Sequence, residues 1–286
     1  DPTSSVNYVR IQRAYLDEKQ AALTFSTIKD SLYYDTLTVT VDEFVDGSYK
    51  RRFTLTKVDG NELGLPKDTG IFYSDENILY QLNADLLESG VNSDVSYTIN
   101  VNNPKTGNTV IGTTLSIGRP TVRLPLNDFV RNFAIPNSPQ SVVRAIYEEG
   151  VYSYKYTMEM TIRIEEENKA DTSQKVVKEI KWPMFTGVRT RSEKNRIEAN
   201  QEIPTSGFYA ALAGALDEDP TVNRYLLGFD VNFYGISEDF STFLDVNRPS
   251  IGIVQKKPEF SNIDNGLGIF TCRHITRFED LKFQPV

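Results

Sequence analysis

Apolar and polar residues alternate without a break between Tyr152 and Ile164. Successive side chains of a β-strand point to opposite faces of the sheet, so this pattern predicts a long strand with one buried face and one wet face. A sheet of this kind is typical of antiparallel β-proteins. The apolar positions are Tyr152, Tyr154, Tyr156, Met158, Met160, Ile162 and Ile164.

Shorter patterns predict about seven strands in the first 118 residues, which favours an immunoglobulin-like β-sandwich. Asp46-Gly47 indicates a tight hairpin turn, and Pro104 with Gly107 indicates a second hairpin loop. We place the domain boundary at Gly118-Arg119-Pro120, and residues 135–139 are the alternative, because two prolines also interrupt local structure there. The predicted strands cover residues 8–14, 37–41, 53–55, 78–82, 96–101 and 109–117, and residues 22–27 are a further candidate.

Residues 119–286 are predicted to form a larger antiparallel β-domain that carries one helix, so the predicted fold class is all-β. Residues 174–182 pair with the central strand, and Pro183 is expected to end that second strand. The helix is predicted near residues 205–216, with Thr205 or Ser206 as its cap and Phe208, Ala211, Leu212 and Ala215 on one face. Asp219 ahead of Pro220 is expected to cap another helical turn through Leu227, and a strand follows over residues 228–236. Residues 240–244 fit a helical turn or a strand equally well.

The composition of the chain argues against several classes of function. The formal net charge is −8, which does not favour binding to nucleic acid or to an anionic membrane face. The single cysteine, Cys272, excludes a disulfide within the chain. No apolar run approaches the length of a membrane-spanning helix. The chain begins at Asp1, which we interpret as a processed or trimmed terminus.

The chemistry-bearing residues do not assemble into a recognisable catalytic or metal-binding motif. His274 is the only histidine, so zinc sites with two or three histidines are excluded within one chain. Cys272 and His274 would share one face of a strand, which we interpret as a structural arrangement. The many neighbouring acidic residues are interpreted as solvated faces, and no phosphate-binding glycine motif occurs. We therefore predict no catalytic residue, no metal and no cofactor.

Candidate binding residues come from aromatic pairs and from one long loop. Tyr33-Tyr34 could stack on a sugar or a peptide, as could Phe72-Tyr73 and Phe208-Tyr209, although such pairs more often pack in a core. The loop of residues 60–70 is rich in turn residues, and loops on a rigid sandwich often carry binding. The candidate ligand-binding residues are Tyr33, Tyr34, Lys67 and Asp68.

Three passages in the last third of the chain resemble uncharacterised outer-membrane lipoproteins of Bacteroidota. They are V-N-R-Y-L-L-G-F-D-V-N-F from Val222, V-N-R-P-S-I-G from Val246, and P-E-F-S-N-I-D-N-G-L-G-I-F from Pro258. The S-N-I-x-x-G-L-G-x-F pattern is the clearest marker of that family. The resemblance implies an immunoglobulin-like N-terminal half, export, and a lipid anchor upstream of Asp1. From the residues alone, Asp264-Asn265-Gly266 is predicted to form a turn that precedes a last strand beginning at Leu267.

Three functions remain open on this basis. The first is a non-enzymatic, surface-exposed module that binds a ligand, such as a glycan or a peptide, or a partner protein at the outer membrane. The second is a glycan or peptide hydrolase that uses carboxylates in a groove of the second domain, which needs two acids facing one open space. The third is a structural spacer. No nucleic-acid partner is expected, and membrane contact is expected through the lipid anchor alone.

Overall fold

The computed structural model describes residues 1–13, 22–67, 70, 73–126, 132–136, 138–188, 197–248 and 259–283. Four short helices are found in these residues: α1 (Ala22–Ser26), α2 (Lys29–Leu32), α3 (Ser206–Ala215) and α4 (Glu238–Val246). The strands are β1 (Val6–Val9), β2 (Thr38–Val45), β3 (Ser48–Thr54), β4 (Thr56–Asp59), β5 (Ile78–Asn83), β6 (Val95–Asn102), β7 (Thr109–Leu115), β8 (Thr121–Leu124), β9 (Asn132–Phe133), β10 (Val142–Glu148), β11 (Lys155–Asn168), β12 (Lys175–Val188), β13 (Glu198–Pro204), β14 (Val222–Ile236), β15 (Ile263–Asp264) and β16 (Arg273–Phe283).

The fold is all-β, as predicted, and the chain divides into two compact units. The first unit contains Asp1–Ser116 and Thr242–Cys272, and the second contains Ile117–Ser241 and Arg273–Val286. The first unit has a five-stranded sheet of order β15-β7-β6-β2-β3 and a three-stranded sheet of order β1-β5-β4. The second unit has a five-stranded sheet of order β12-β11-β14-β16-β9 and a three-stranded sheet of order β13-β10-β8.

The two units differ from the predicted domains in one segment. The first break lies between Ser116 and Ile117, beside the predicted boundary at residue 118. Thr242–Cys272, which the sequence assigns to the second domain, belongs instead to the first unit. The cause is strand pairing, because Ile263 and Asp264 of β15 pair with Gly112 and Ile111 of β7.

The first unit is built from short strands whose side chains alternate between buried and partly exposed positions. On β6, Val95, Tyr97, Ile99 and Val101 are buried. The β2–β3 hairpin turns at Asp46 and Gly47, whose φ values are both positive, as predicted for that dipeptide. Leu55, between β3 and β4, is buried, and the chain passes there from the five-stranded sheet to the three-stranded one. This arrangement resembles a sandwich, whereas immunoglobulin topology stays a prediction.

The long central strand forms the centre of the second unit's core. Tyr156, Met158, Met160 and Ile162 of β11 are at most 1% exposed, while the residues between them are partly exposed, as the alternation predicts. The core extends to β14 and to the facing strands β10 and β13. It includes Phe229, Val231, Phe233, Ala145, Tyr147 and Ile203.

The start of the central strand differs from the prediction. β11 begins at Lys155, and Tyr152 lies in a turn with a φ of 57°. Tyr152 and Tyr154 are half-buried, whereas the residues beside them, Val151 and Ser153, are buried. The turn at Tyr152 interrupts the alternation, so the buried face of the strand begins at Tyr156.

Pro183 does not end β12, contrary to the prediction. The strand continues to Val188, and its pairing with β11 shifts register between Met158 and Glu159, opposite Pro183. β12 is the outermost strand of its sheet. A proline is tolerated in an edge strand or beside a bulge, because its missing N–H is not needed by a further neighbour.

The predicted helix at residues 205–216 is present as α3, and Thr205 occupies its N-cap position, as predicted. The Thr205 side chain makes no capping hydrogen bond, because its Oγ1 donates instead to Ser138 O at 2.6 Å and to Ser141 O at 2.9 Å. Gly207 allows α3 to approach β12, because a Cβ there would lie 2.7 Å from Trp182 Nε1. Phe208 packs against Trp182 at a ring distance of 5.6 Å. Ala215, predicted on the same face, is exposed.

Three other local predictions change, and one alternative that the sequence left open is resolved. Residues 22–26 form α1 rather than a strand, and local bonds such as Ile28 N to Phe25 O satisfy the backbone there. Asp219 does not cap a helix, because its carboxylate accepts hydrogen bonds from the N–H and the hydroxyl of Thr221, and β14 follows directly. Residues 240–244 lie within the helix α4. The first strand, predicted over residues 8–14, is Val6–Val9, and residue 14 lies outside the described residues.

Candidate functional site

A cavity of about 350 Å³ lies within the first unit. This volume is within the range of small-ligand sites. The cavity is formed by segments far apart in the sequence: the residues after β1, the segment after α2, strands β6 and β7 with their hairpin loop, and residues 263–270. The lining residues are Val9, Arg10, Ile11, Gln12, Tyr34, Leu37, Ile99, Val101, Asn103, Asn108, Val110, Ile263, Asn265, Gly266, Leu267, Gly268, Ile269 and Phe270.

The floor of the cavity is apolar. Ile99 and Val101 of β6 and Val110 of β7 come from adjacent strands of the five-stranded sheet. Val9 and Ile11 add aliphatic surface from the segment at the end of β1. Branched aliphatic residues of this kind favour an apolar group of a ligand over water.

One wall of the cavity is formed by Ile263 and residues 265–270, which belong to the S-N-I-x-x-G-L-G-x-F segment, residues 261–270. Asn262 closes this segment into a loop, because its Oδ1 accepts from Phe270 N at 2.9 Å and its Nδ2 donates to Phe270 O at 2.8 Å. Ile263 fits against Gly112 of β7, where a Cβ would lie 2.5 Å from Ile263 Cδ1. Asn265 has a φ of 59°, which confirms the predicted turn. The predicted last strand from Leu267 does not form, and the next strand after the loop is β16.

The rim of the cavity is polar and carries positive charge. Gln12, Asn103, Asn108 and Asn265 supply amide groups that can both donate and accept hydrogen bonds. Arg10 is exposed, and its Nη2 donates to Oδ1 of the buried Asn77 at 3.1 Å. Among the lining residues that the structure describes, none is acidic.

Further basic residues lie beside the rim. The Arg13 guanidinium is 5.1 Å from the centre of the Tyr34 ring, and Lys57 Nζ donates to Tyr34 O at 3.1 Å. Lys105, in the loop between Asn103 and Asn108, forms an ion pair with Asp35 at 2.6 Å. That hydrogen bond, together with the charges of Lys57 and Arg13, lowers the pKa of Asp35.

The structure separates the four candidate binding residues that the sequence indicates. Tyr34 lines the cavity, but Tyr33 is buried in a small core with Leu32 and Ile78. Lys67 donates to Tyr73 O at 2.9 Å, and burial and then the charge of Arg10 lower the pKa of its ammonium group. Asp68 lies outside the described residues. Tyr34 is therefore the candidate that the structure brings to the cavity.

The other chemical candidates lie in other surroundings. Phe208 is buried in the core of the second unit, and Tyr209 packs against that core. His274 is 1% exposed, and its Nε2 lies 2.9 Å from Ile117 O. Cys272 is also buried. Phe72 lies outside the described residues.

Several residues at or near the cavity were missed by sequence reasoning. Arg10 and Asn108 were not singled out, because an isolated polar residue in a strand end or a hairpin loop carries no pattern of its own. Gly112 was also missed, although an isolated glycine inside a strand pattern is a signal of close approach by another segment. The 261–270 segment was identified as a fold marker, but its contact with β7 depends on a pairing across about 150 residues of sequence, as the Ile263–Gly112 register implies.

Comparison with protein-family models gave no match to this chain, and comparison with curated proteins gave none either. Within the part of the chain that the structure describes, no group of three or more histidine, cysteine, aspartate or glutamate side chains is placed to hold a metal ion. None of the helices in the described residues is long and apolar enough to span a membrane.

Proposed function

We propose that this protein is a non-enzymatic binding module exposed at the cell surface, and that it holds its ligand in the cavity of the first unit. The observation that carries this proposal is the composition of the cavity, an aliphatic floor enclosed by a rim of amides and one arginine. Binding sites commonly combine a largely apolar lining with a few convergent polar groups.

The way the wall is held supports a binding role. Asn262 bonds both backbone groups of Phe270, and β15 pairs with β7, so the loop that lines the cavity is fixed before any ligand arrives. Arg10 is likewise held in place by Asn77. A site that is already ordered loses less conformational entropy on binding, which favours affinity.

Three neighbouring glutamates of β11, in the second unit, form ion pairs, which supports a non-enzymatic function. Glu166 lies between Lys178 at 2.8 Å and Arg224 at 2.9 Å, and hydrogen bonds from these two residues lower its pKa. Lys175 pairs with both Glu165 and Glu167. A glycosidase needs a carboxyl group of raised pKa across a groove from a second acid, which is the opposite of these ion-paired carboxylates.

The proposed location is the outer membrane, with a lipid anchor upstream of Asp1. This part of the proposal is based on the resemblance of residues 200–286 to Bacteroidota lipoproteins. It is tested by labelling cells that express the full gene with a radioactive fatty acid, and by treating intact cells with protease. We expect a labelled protein that is cleaved on intact cells, and an unlabelled or fully protected protein would overturn this location.

The binding function is tested by screening the purified chain against arrays of glycans and short peptides. Asn108 is exposed at the rim, so Asn108→Trp places a bulky ring over the cavity without disturbing the core. Asn102→Trp, on an exposed neighbouring position outside the cavity lining, is the matched control. We expect a ligand that binds the wild type and Asn102→Trp but is weakened roughly tenfold or more by Asn108→Trp. No bound ligand in either array, or binding unaffected by Asn108→Trp, would overturn the proposal.

A further inference from the structure

The chemistry of the cavity restricts the ligand that it fits, and this inference rests on the proposed binding function. Three features of the lining must be matched together: the aliphatic floor, the four amide side chains of the rim, and the basic residue Arg10. The apolar floor calls for an aliphatic group on the ligand. The amides call for groups that donate and accept hydrogen bonds, and the guanidinium calls for a negative charge.

Arg10 is suited to an anionic partner. It forms no ion pair with the residues that the structure describes, and the Asn77 side chain fixes its position through a neutral hydrogen bond. Burial and then the charge of Arg10 lower the pKa of Lys67, whose Nζ donates to Tyr73 O at 2.9 Å. An arginine oriented in this way can donate paired hydrogen bonds to a carboxylate.

The rim of the cavity carries positive charge, although the chain as a whole has a formal net charge of −8. Arg13 and Lys57 contact Tyr34, which itself lines the cavity. Asp35 is paired with Lys105, and Asp264 is exposed next to lining residues but is not part of the lining. The charge at the rim is therefore complementary to a single anionic group on the ligand.

We infer that the cavity binds the free carboxyl-terminal end of a peptide whose last side chain is aliphatic. The terminal side chain lies on the floor formed by Ile99, Val101 and Val110. The peptide groups bond to the amides of the rim, and the terminal carboxylate pairs with Arg10. A fatty acid could contact the floor and pair with Arg10, but it has no groups that would hydrogen-bond to the amides of the rim.

The inference is tested by isothermal titration calorimetry of the full chain with two peptides that differ only at the carboxyl terminus. The first is acetyl-Gly-Gly-Leu with a free carboxylate, and the second is the same peptide with a carboxyl-terminal amide. Acetylation removes the amino-terminal charge, so the carboxylate is the one charge that differs. We expect the free acid to bind roughly tenfold or more tightly, because a charge-assisted pair is lost in the amide.

Two variants test whether Arg10 causes the difference in affinity between the free acid and the amide. Arg10→Gln removes the charge and keeps a hydrogen-bonding group for Asn77, and it is expected to reduce the affinity for the acid to that for the amide. Lys50→Gln, an exposed position on β3 outside the lining, makes the same change in net charge and is expected to leave the preference intact. Added salt should weaken binding of the acid and leave binding of the amide nearly unchanged.

The outcomes separate the inference from the function on which it rests. Equal binding of acid and amide, both weakened by Asn108→Trp, would overturn the inference and leave the binding function standing. Binding of decanoate but of neither peptide would have the same consequence and would point to a lipid ligand. A preference for the acid that survives Arg10→Gln would overturn the assignment to this arginine. If neither peptide binds, the inference is overturned. If no glycan or peptide of the arrays binds either, the proposed binding function is overturned as well.

Discussion

The buried carboxylate of Glu43 illustrates how individual residues stabilise the first unit. Arg51 donates to both of its oxygens, at 2.9 and 3.0 Å. Tyr97 Oη donates to Glu43 Oε2 at 2.9 Å and accepts from Leu87 N at 2.7 Å. Burial and the hydrogen bond to Glu43 raise the pKa of Tyr97 far above its usual value, so the phenol remains protonated as a donor.

Removing the Tyr97 hydroxyl should destabilise the protein. Tyr97→Phe leaves a buried oxygen of Glu43 and the N–H of Leu87 with fewer partners, which costs about 1 to 3 kcal/mol of the free energy of unfolding. Tyr49→Phe is the control, because Tyr49 is 59% exposed, and its effect should stay within about 0.5 kcal/mol. Urea unfolding measures the free energy of unfolding of both variants. Equal effects of the two substitutions would contradict this account of Glu43.

Asp42 should make the stability of the first unit depend on pH. Arg52 donates to both oxygens of its carboxylate, at 2.6 and 2.8 Å, and this hydrogen bonding lowers the pKa of Asp42. In the unfolded chain the pKa returns to about 3.9. The stabilisation is therefore fully present above the unfolded pKa and is lost as the pH falls through the lowered folded pKa.

Asp42→Asn should reduce the free energy of unfolding by about 1 kcal/mol at pH 7, since Arg52 is half exposed and its pair is screened by solvent. The difference from the wild type should shrink as the pH is lowered below about 4. Glu62→Gln, on an exposed loop, serves as the control for a lost acidic charge. A difference that is constant from pH 7 to pH 3 would rule out this role of Asp42. The measurement is urea unfolding at a series of pH values.

The pairing of β15 with β7 holds Ile263, which lines the cavity, beside the five-stranded sheet. Gly112→Ala would bring a Cβ within 2.5 Å of Ile263 Cδ1 and 3.1 Å of Phe270 Cβ. We expect β15 to be displaced, with a loss of about 1 to 3 kcal/mol of the free energy of unfolding. Gly214→Ala is the matched control in α3, where nothing lies within 4 Å of the added Cβ.

The control substitution should change the free energy of unfolding in the opposite direction. Alanine has a higher helix propensity than glycine, so Gly214→Ala should raise the free energy of unfolding by about 0.5 to 1 kcal/mol. Urea unfolding followed by circular dichroism compares the two variants. If Gly112→Ala were as stable as the wild type, Ile263 would not pack against β7 in the manner described.

The elements that sequence predicted well are those whose patterns are local. The alternation of Met158, Met160 and Ile162 indicates a buried strand face wherever the partner strands come from, and Asp46-Gly47 requires a tight turn by its backbone preferences alone. Pro183 was misread because its effect depends on β12 being an edge strand, and a single sequence does not show strand order. The same limit applied to the cavity, where Tyr34 was predicted and Arg10 and Asn108 were not.

At the scale of the whole molecule, the chain returns to its first unit after completing most of the second. Thr242–Cys272 belongs to the unit that begins at Asp1, and β15 supplies its link to the five-stranded sheet. A short two-residue strand at a sheet edge contributes few hydrogen bonds, so side-chain contacts such as those of Ile263 and Phe270 with β7 matter for its stability.

Ile263→Ala should therefore loosen the first unit and leave the second unchanged. Hydrogen exchange followed by mass spectrometry should show faster exchange in the peptide covering Thr109–Leu115 of β7. Peptides from β11 and β14, which belong to the other unit, should exchange at the rate of the wild type. Faster exchange in β11, or no change in β7, would contradict the assignment of Thr242–Cys272 to the first unit.

If the protein holds its ligand in the cavity of the first unit, the side chains that line the cavity should respond when a ligand is added. The most direct measurement is a methyl NMR spectrum of the full chain, labelled at isoleucine, leucine and valine, titrated with acetyl-Gly-Gly-Leu. We expect shifts confined to the methyl groups that line the cavity, among them those of Ile99, Val110, Ile263 and Leu267. Shifts at Leu63 and Leu65 of the 60–70 loop instead would contradict binding in the cavity, whereas an unchanged spectrum would overturn the inferred peptide ligand.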